Sequence, residues 1–144
     1  MRVWIDSEII LDCLYERDGY EDSLNALKLC EAKILDGCIS TATLVRISEA
    51  MDMQLSADST VSVINDICRI FTVADIGKND IDFDAISKFD SFKKGFDAVC
   101  ARNAGARYVV THDTGGYGHL ELIGIQPGEI RKLKKVTEGT FVCG

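Results

Sequence analysis

The sequence has little proline and no long apolar run. Pro127 is the single proline among 144 residues, and no low-complexity segment or internal repeat is visible, so we expect one domain without a linker. The opening MRVWIDSEII is apolar only briefly, because Asp6 and Glu8 interrupt it. This pattern argues against a signal-peptide core and a membrane span, so a cytoplasmic protein with no membrane partner is the default expectation.

The chain also lacks an excess of basic residues and any closely paired cysteines. Its formal net charge is −7, which argues against non-specific coating of nucleic acid, because phosphate binding depends on Lys and Arg. Such a charge still allows an enzyme whose acids surround bound cations. No two of the six cysteines have C-x-x-C spacing, so neither structural zinc nor a thioredoxin-like motif is expected. Cys13, Cys30 and Cys100 are interpreted as small core residues.

Short apolar strands alternate with helical segments along the chain. The predicted strands are RVWI (2–5), CIS (38–40), IFTVADI (70–76), RYVVT (107–111) and ELIGI (121–125). Predicted helices cover 7–17, 21–36, 41–55, 57–69, 79–89, 96–104 and 128–133, with Gly37 and Gly105 as stops for two of them. This alternation predicts a single α/β domain over 1–144, a three-layer α/β/α sandwich with a central parallel sheet. Its core spans about 2–134, followed by an ambiguous tail, 135–144.

Aspartates stand where two predicted strands end. Asp6 follows VWI and Asp113 follows YVVTH, and ligands of open parallel sheets bind beyond the carboxyl ends of the strands. Asp97 opens a predicted helix nearby, and Glu49 lies two turns into the helix that follows the second strand. Four carboxylates could therefore share one rim, where Mg²⁺ or Mn²⁺ would relieve their repulsion. Helix capping by Asp6 and Asp97, a turn at Asp113 and a solvated Glu49 are the local alternatives.

Other side chains have simpler interpretations. Glu8, Asp12 and Glu16 have i, i+4 spacing, which favours an exposed helix face. His112 is interpreted as a polar residue at a strand end, with a phosphate contact as the alternative. No aromatic platform for base stacking is evident from the sequence.

Three segments together resemble a PIN domain, the metal-dependent ribonuclease fold that includes the VapC-type toxins of toxin–antitoxin pairs. VWIDSEIILDCL resembles the family's opening strand, acid and helix, and CISTATLVRISEAM resembles its second strand and helix. FDAVCARNAGARYVVTHDTGGY is the most specific match, and the resemblance runs from position 3 to about 134. Asp12 matches a further acid found in one branch of the family.

The resemblance implies a Mg²⁺- or Mn²⁺-dependent endoribonuclease, with the toxin of a toxin–antitoxin pair as one form that it can take. Asp6, Asp97 and Asp113 would hold the metal, and Glu49 would be a fourth catalytic acid. The implied partners are single-stranded or looped RNA, an antitoxin protein and a second copy of the chain. Residues expected to contact substrate are Ser40, Arg46, Lys94 and Thr111, with Lys93 beside them.

One position departs from the family pattern. Aligned from Ile39–Ser40, the usual glutamate falls on Arg46, and Glu49 lies about one turn later on nearly the same face. Glu49 could substitute for that acid, or Arg46 could pair with an aspartate in the metal's place or hold a substrate phosphate. The alternative function is therefore a degenerate PIN domain that binds nucleic acid or protein without catalysis. A receiver-type phosphotransfer site is less favoured, since no lysine ends the last predicted strand.

Overall fold

The computed structural model describes residues 1–133, in which a five-stranded parallel sheet lies at the centre. The strand order is β3-β2-β1-β4-β5, and every neighbouring pair is parallel. The strands are β1 (Arg2–Ile5), β2 (Asp36–Ser40), β3 (Thr72–Ala74), β4 (Tyr108–Val110) and β5 (Ile123–Ile125). The predicted α/β class and parallel sheet are confirmed, whereas the tail 135–144 lies outside the described residues.

The α-helices connect these strands as the hydrophobic periodicity predicts. They are α1 (Ser7–Tyr15), α2 (Tyr20–Glu31), α3 (Thr41–Asp52), α4 (Ala57–Ile70), α5 (Phe83–Ile86) and α6 (Phe92–Asn103). Short 3-10 helices lie at Lys78–Asp80, Gly118–Leu120 and Pro127–Glu129. No helix in the described part of the chain is long and apolar enough to cross a membrane.

Two hydrophobic clusters cover the two faces of the sheet. Val3 and Ile5 of β1 pack into the cluster with α1 to α4, whereas Trp4 packs into the cluster with α5 and α6. Neighbouring strand residues point to opposite faces, so a strand covered on both sides is apolar throughout. The RVWI segment is therefore a buried central strand, and the molecule has the predicted three layers.

The helix predicted to begin at position 96 begins at Phe92 instead. The Ser91 side chain accepts a hydrogen bond from the backbone N–H of Lys94 at 3.2 Å and so caps α6 one turn earlier. Gly95 lies inside the helix because α5 approaches closely there. A Cβ at Gly95 would lie 2.9 Å from the backbone of Ile86. The prediction that Asp97 begins its helix is therefore wrong, and its side chain projects from the second turn.

The helix predicted over 21–36 ends early, at Glu31, and Gly37 is not its stop. The chain turns at Lys33, whose φ is 61°, and the N–H groups of Ile34 and Leu35 bond to the carbonyl of Leu29. Gly37 lies within β2, where a Cβ would stand 2.6 Å from the Cys30 sulfur. This glycine is needed for close packing of α2 on the sheet.

The single helix predicted over 79–89 is also wrong, because two short pieces replace it. The Asp80 side chain accepts from the N–H of Gly77 at 2.8 Å, and the Asp82 side chain accepts from that of Ala85 at 3.0 Å. Such side-chain bonds satisfy the backbone locally and compete with one continuous helix.

Candidate active site

A cavity of about 240 Å³ opens at the carboxyl end of the sheet. The chain passes from β1 outward to β2 and β3, then returns to the other side of β1 for β4, so the order reverses between β1 and β4. Such a switch point is where open α/β sheets bind ligands. The acidic cavity, as we call it, is lined by Asp6, Lys93, Lys94, Asp97, Thr111 and Asp113, among others.

Asp6 both caps a helix and faces the acidic cavity. Its Oδ1 accepts from the backbone N–H of Glu8 at 3.3 Å, which caps α1, and from Lys93 Nζ at 2.8 Å. The hydroxyl of Thr111 donates to Oδ2 at 2.9 Å. Burial alone would raise the pKa of Asp6, but the bonds from Lys93 and Thr111 outweigh it and hold that pKa below its ordinary value. Asp6 is therefore an ionised carboxylate at the end of β1.

Asp97 is a buried carboxylate held by an arginine from another helix. Only 4% of Asp97 is exposed, and Arg46 on α3 donates two hydrogen bonds to it, at 3.1 and 2.8 Å. This paired geometry is the strong form of the Arg–carboxylate interaction. Burial nevertheless raises the pKa of Asp97 to about 6, although Arg46 and Lys93 lower it.

A single ammonium group lies between the carboxylates of Asp6 and Asp97. Lys93 Nζ is 2.8 Å from Asp6 Oδ1 and 3.8 Å from Asp97 Oδ2. Asp6 comes from the end of β1 and Asp97 from the second turn of α6, so the fold brings acids from remote segments to one cation. The expected convergence of Asp6 and Asp97 is thus present in the structure.

Asp113 lies at the mouth of the acidic cavity. Its side chain is 76% exposed, and Lys94 Nζ approaches its Oδ2 at 3.0 Å. The Lys94 side chain is only 11% exposed and lies 5.0 Å from the centroid of the Tyr117 ring. The backbone N–H of Asp113 donates to the Thr111 hydroxyl, which itself donates to Asp6. Thr111 therefore links the backbone of the outer acid to the side chain of the inner one, and Lys94 holds the Asp113 carboxylate beside Tyr117.

A family model for the PIN domain matches residues 2–115, which contain all three aspartates of the acidic cavity. The chain belongs to the PIN domain family. The fold is of the nuclease type, and PIN domains are generally metal-dependent nucleases. A comparison with curated proteins finds no significant match.

Two residues expected in this PIN-domain site are not brought to it. Glu49 is exposed on α3 and does not line the acidic cavity, whereas Arg46, one turn earlier, reaches Asp97. Ser40 is fully buried and caps α3. Its hydroxyl accepts a hydrogen bond from the backbone N–H of Thr43, and the Thr43 hydroxyl accepts one from the backbone N–H of Ser40. The geometry therefore gives Ser40 a capping role.

Asp12 is buried, so the prediction of an exposed i, i+4 face is wrong for this residue. It is 6% exposed and accepts hydrogen bonds from the Ser23 hydroxyl at 2.9 Å and from His112 Nε2 at 2.6 Å. Asp12 lies three residues after the fully buried Ile9, on the same side of α1, and that spacing is the signal that could have indicated its burial.

His112 is fixed on both ring nitrogens beside the acidic cavity. Nε2 contacts Asp12, and Nδ1 lies 3.3 Å from Gln126 Oε1, while Gln126 Nε2 donates to the His112 carbonyl at 2.8 Å. Partial burial lowers the pKa of His112, but the bonds to Asp12 and Gln126 outweigh it and raise that pKa above its ordinary value. Each ring nitrogen therefore lies within hydrogen-bond distance of a side-chain oxygen, which fixes the orientation of the ring.

The donors of the acidic cavity fit a divalent ion held by two carboxylates. Mg²⁺ is usually bound through one or two carboxylates, with water and substrate phosphate completing its coordination. Asp6 and Asp97 already share a cation, the Lys93 ammonium, and Thr111 orients Asp6. Among residues 1–133, no three of the His, Cys, Asp and Glu side chains are arranged to hold a metal ion. A site completed by water and phosphate agrees with this donor set.

Proposed function

We propose that the protein is a metal-dependent endoribonuclease that hydrolyses phosphodiester bonds in single-stranded or looped RNA. The observation that carries the proposal is a pair of carboxylates, the partly buried Asp6 and the buried Asp97, which share one cation at the β1/β4 switch point of a PIN-domain sheet. Two neighbouring carboxylates need a positive charge between them, and a divalent ion supplies it more strongly than an ammonium group.

The side chains of the acidic cavity have distinct roles in this proposal. Asp6 and Asp97 would hold Mg²⁺ or Mn²⁺, which supplies an activated water and stabilises charge on the phosphate. Thr111 keeps Asp6 oriented through its hydroxyl, and Asp113 at the mouth would contact the ion through water. Lys93 must leave the carboxylates when the ion binds, and its side chain, 41% exposed, has access to solvent.

The substrate assignment rests on local charge, since the whole protein is acidic. Lys93 and Lys94 lie on the first turn of α6, and Lys94 lines the cavity together with the exposed Asp113. An unpaired RNA strand can follow these cations into a narrow opening, whereas a duplex presents its phosphates less flexibly. We therefore favour single strands and loops over helical RNA.

The second candidate function is a PIN domain that binds nucleic acid or protein without catalysis. The two hydrogen bonds from Arg46 to Asp97 favour it, because they neutralise one acid of the pair without any metal. If Arg46 stays in place when Mg²⁺ is offered, Asp97 cannot contribute a full charge to the ion. The two candidates therefore differ in whether a divalent ion binds at millimolar concentration.

Cleavage of labelled single-stranded RNA separates the candidates. Wild-type protein should cleave with Mg²⁺ or Mn²⁺ and not with EDTA, and Asp97→Asn should lower the rate by roughly 100-fold or more, as expected for loss of a site charge. Asp66→Asn, an exposed aspartate on α4, is the matched control and should cleave normally. Cleavage that persists in Asp97→Asn would come from elsewhere. Absence of both cleavage and metal binding in the wild type would support the binding module.

The toxin role, a protein antitoxin and a homodimer extend this proposal, and the family resemblance supports them. A toxin should arrest growth of a bacterial host on induced expression, whereas Asp97→Asn should not. Light scattering of the purified chain measures the dimer directly. Normal growth with an active wild-type nuclease would reject the toxin role and leave the endoribonuclease in place.

A further inference from the structure

We propose that Phe92 stacks on a base of the bound single-stranded RNA, an inference that rests on the endoribonuclease proposed above. Phe92 is the first residue of α6, and it is 58% exposed. Ser91 and Lys93, its neighbours in the chain, both line the acidic cavity, whereas Phe92 does not. Phe92 therefore belongs to the turn of α6 that borders the cavity, and a base could reach it if the adjoining phosphate entered the cavity.

A second aromatic ring supports Phe92 from behind. The rings of Phe92 and Phe96 are stacked, with centroids 6.0 Å apart and an interplanar angle of 20°. Phe96 is partly buried and packs against the hydrophobic cluster of α5 and α6. An exposed ring that is already held in one orientation loses little freedom when a ligand stacks on it. Phe92 is thus a preorganised surface next to the site.

Charge beside the ring favours RNA as its occupant. Phe92 is followed directly by Lys93 and Lys94, so one aromatic and two cationic groups lie together in the first turn of α6. Proteins that bind single strands combine these two features, because phosphates contact the cations while unpaired bases stack on the rings. The adjoining cavity is lined by charged groups, so with a divalent ion bound between its carboxylates it suits a phosphodiester backbone better than an apolar protein segment.

The sequence did not indicate this platform, since the helix was predicted to begin at position 96. With Ser91 as its N-cap, α6 places Phe92 and Phe96 four residues apart on one face, beside the face that carries Lys93 and Asp97. The aromatic pair and the acid–lysine pair therefore run side by side along the same helix.

Binding of short fluorescent oligouridine, measured by anisotropy with and without Mg²⁺, tests the proposal. Phe92→Ala should raise the Kd by about 5- to 100-fold, the range expected for loss of one base–aromatic stack. Phe92→Tyr should bind like the wild type. Phe83→Ala is the matched control, because Phe83 is 64% exposed and lies on α5. Its neighbour Asp82 pairs with Arg102, at the end of α6 opposite to Phe92. That variant should also bind normally.

An oligonucleotide with abasic positions tells stacking from backbone contact. Wild type and Phe92→Ala should bind it equally, because it keeps the phosphates and lacks the bases. Normal affinity of Phe92→Ala for oligouridine would overturn the stacking role and leave the endoribonuclease intact. If Phe92→Ala lost the same affinity for oligouridine and for the abasic oligonucleotide, the stacking role would also be overturned. A wild type that neither binds nor cleaves RNA would instead remove the proposed function, and this inference with it.

Discussion

At the scale of single residues, the contact between Arg46 and Asp97 decides how the acidic cavity behaves. Arg46 stands where the family resemblance places a glutamate, so a positive charge replaces a negative one beside the buried Asp97. The guanidinium donates twice to Asp97 and is 25% exposed. A divalent ion that binds Asp97 must therefore compete with a well-aligned partner.

The Arg46→Ala variant should bind Mn²⁺ more tightly than the wild type and have a lower free energy of unfolding. Removing the competing charge should lower the Kd for Mn²⁺ by roughly tenfold, a change of about 1.4 kcal/mol. The loss of free energy of unfolding should be on the order of 2 kcal/mol, below that of a fully buried pair because Arg46 is partly exposed. Calorimetric titration and urea unfolding measure the two effects.

Arg102→Ala is the control for that substitution. Arg102 lies on α6 and pairs with Asp82 at 3.4 Å, but its side chain is 37% exposed and does not line the acidic cavity. Arg102→Ala should leave the Mn²⁺ affinity unchanged and alter the free energy of unfolding by no more than about 0.5 kcal/mol. Unchanged Mn²⁺ affinity in Arg46→Ala would show that the guanidinium does not compete with the ion.

Asp12→Ala should destabilise the protein by about 1–3 kcal/mol, because it leaves the buried Ser23 hydroxyl and the His112 ring without their acceptor. Asp18→Ala, an exposed aspartate in the following loop, should have little effect. Urea unfolding of both variants gives the comparison. Equal midpoints would mean that the Asp12 network contributes nothing to stability.

At the scale of elements, the sequence predicted the existence and order of the strands well. Their apolar runs stand out because both faces of the sheet are covered, as Val3 and Trp4 show by packing on opposite sides. The errors fall at helix ends, where one side chain decides the boundary. Ser91 moves the start of α6, and the bonds of Asp80 and Asp82 divide a predicted helix.

The candidate site was predictable only in part, for a similar reason. Asp6 and Asp113 follow strands, so topology alone places them at one edge of the sheet. The pairing of Arg46 with Asp97 and the position of Lys93 depend on contacts between remote elements that periodicity does not specify. Glu49 lies near Arg46 on the same helix, yet one turn along α3 carries it out of the cavity.

Gly95→Ala should destabilise the protein although it lies inside a helix, where alanine normally stabilises. The new Cβ would meet the Ile86 backbone at 2.9 Å and push α5 from α6, at a cost of about 1–3 kcal/mol. Gly118→Ala is the control, because no atom lies within 4 Å of its added Cβ. Thermal unfolding compares the two, and a Gly95→Ala variant more stable than wild type would contradict the close packing.

At the scale of the whole molecule, one sheet joins two cores, so both should be lost in a single transition. Cys30 belongs to the core on one face, and Cys38 and Cys100 belong to the core on the other. Burial raises the pKa of Cys30 and of Cys100 to about 12, so neither thiol should react while the protein is folded.

Thiol labelling followed by peptide mass analysis measures this cooperativity. In a Cys68→Ser, Cys143→Ser background, the buried cysteines of both faces should become reactive at the same urea concentration. Cys68 is exposed on α4 and should label in the native wild type, which provides the positive control. Labelling of Cys100 well before Cys30 would show that the layer of α5 and α6 opens independently.

The lysine between Asp6 and Asp97 gives the molecule a built-in counterion. If Mg²⁺ binds there, it replaces the single charge of the Lys93 ammonium group with a double charge. The two carboxylates then have a counterion both before and after the ion binds. Proteins whose ligands meet only around a metal unfold when it is withdrawn. Here a chelator should abolish turnover while leaving the protein folded, so the supply of divalent ions would switch activity without unfolding the chain.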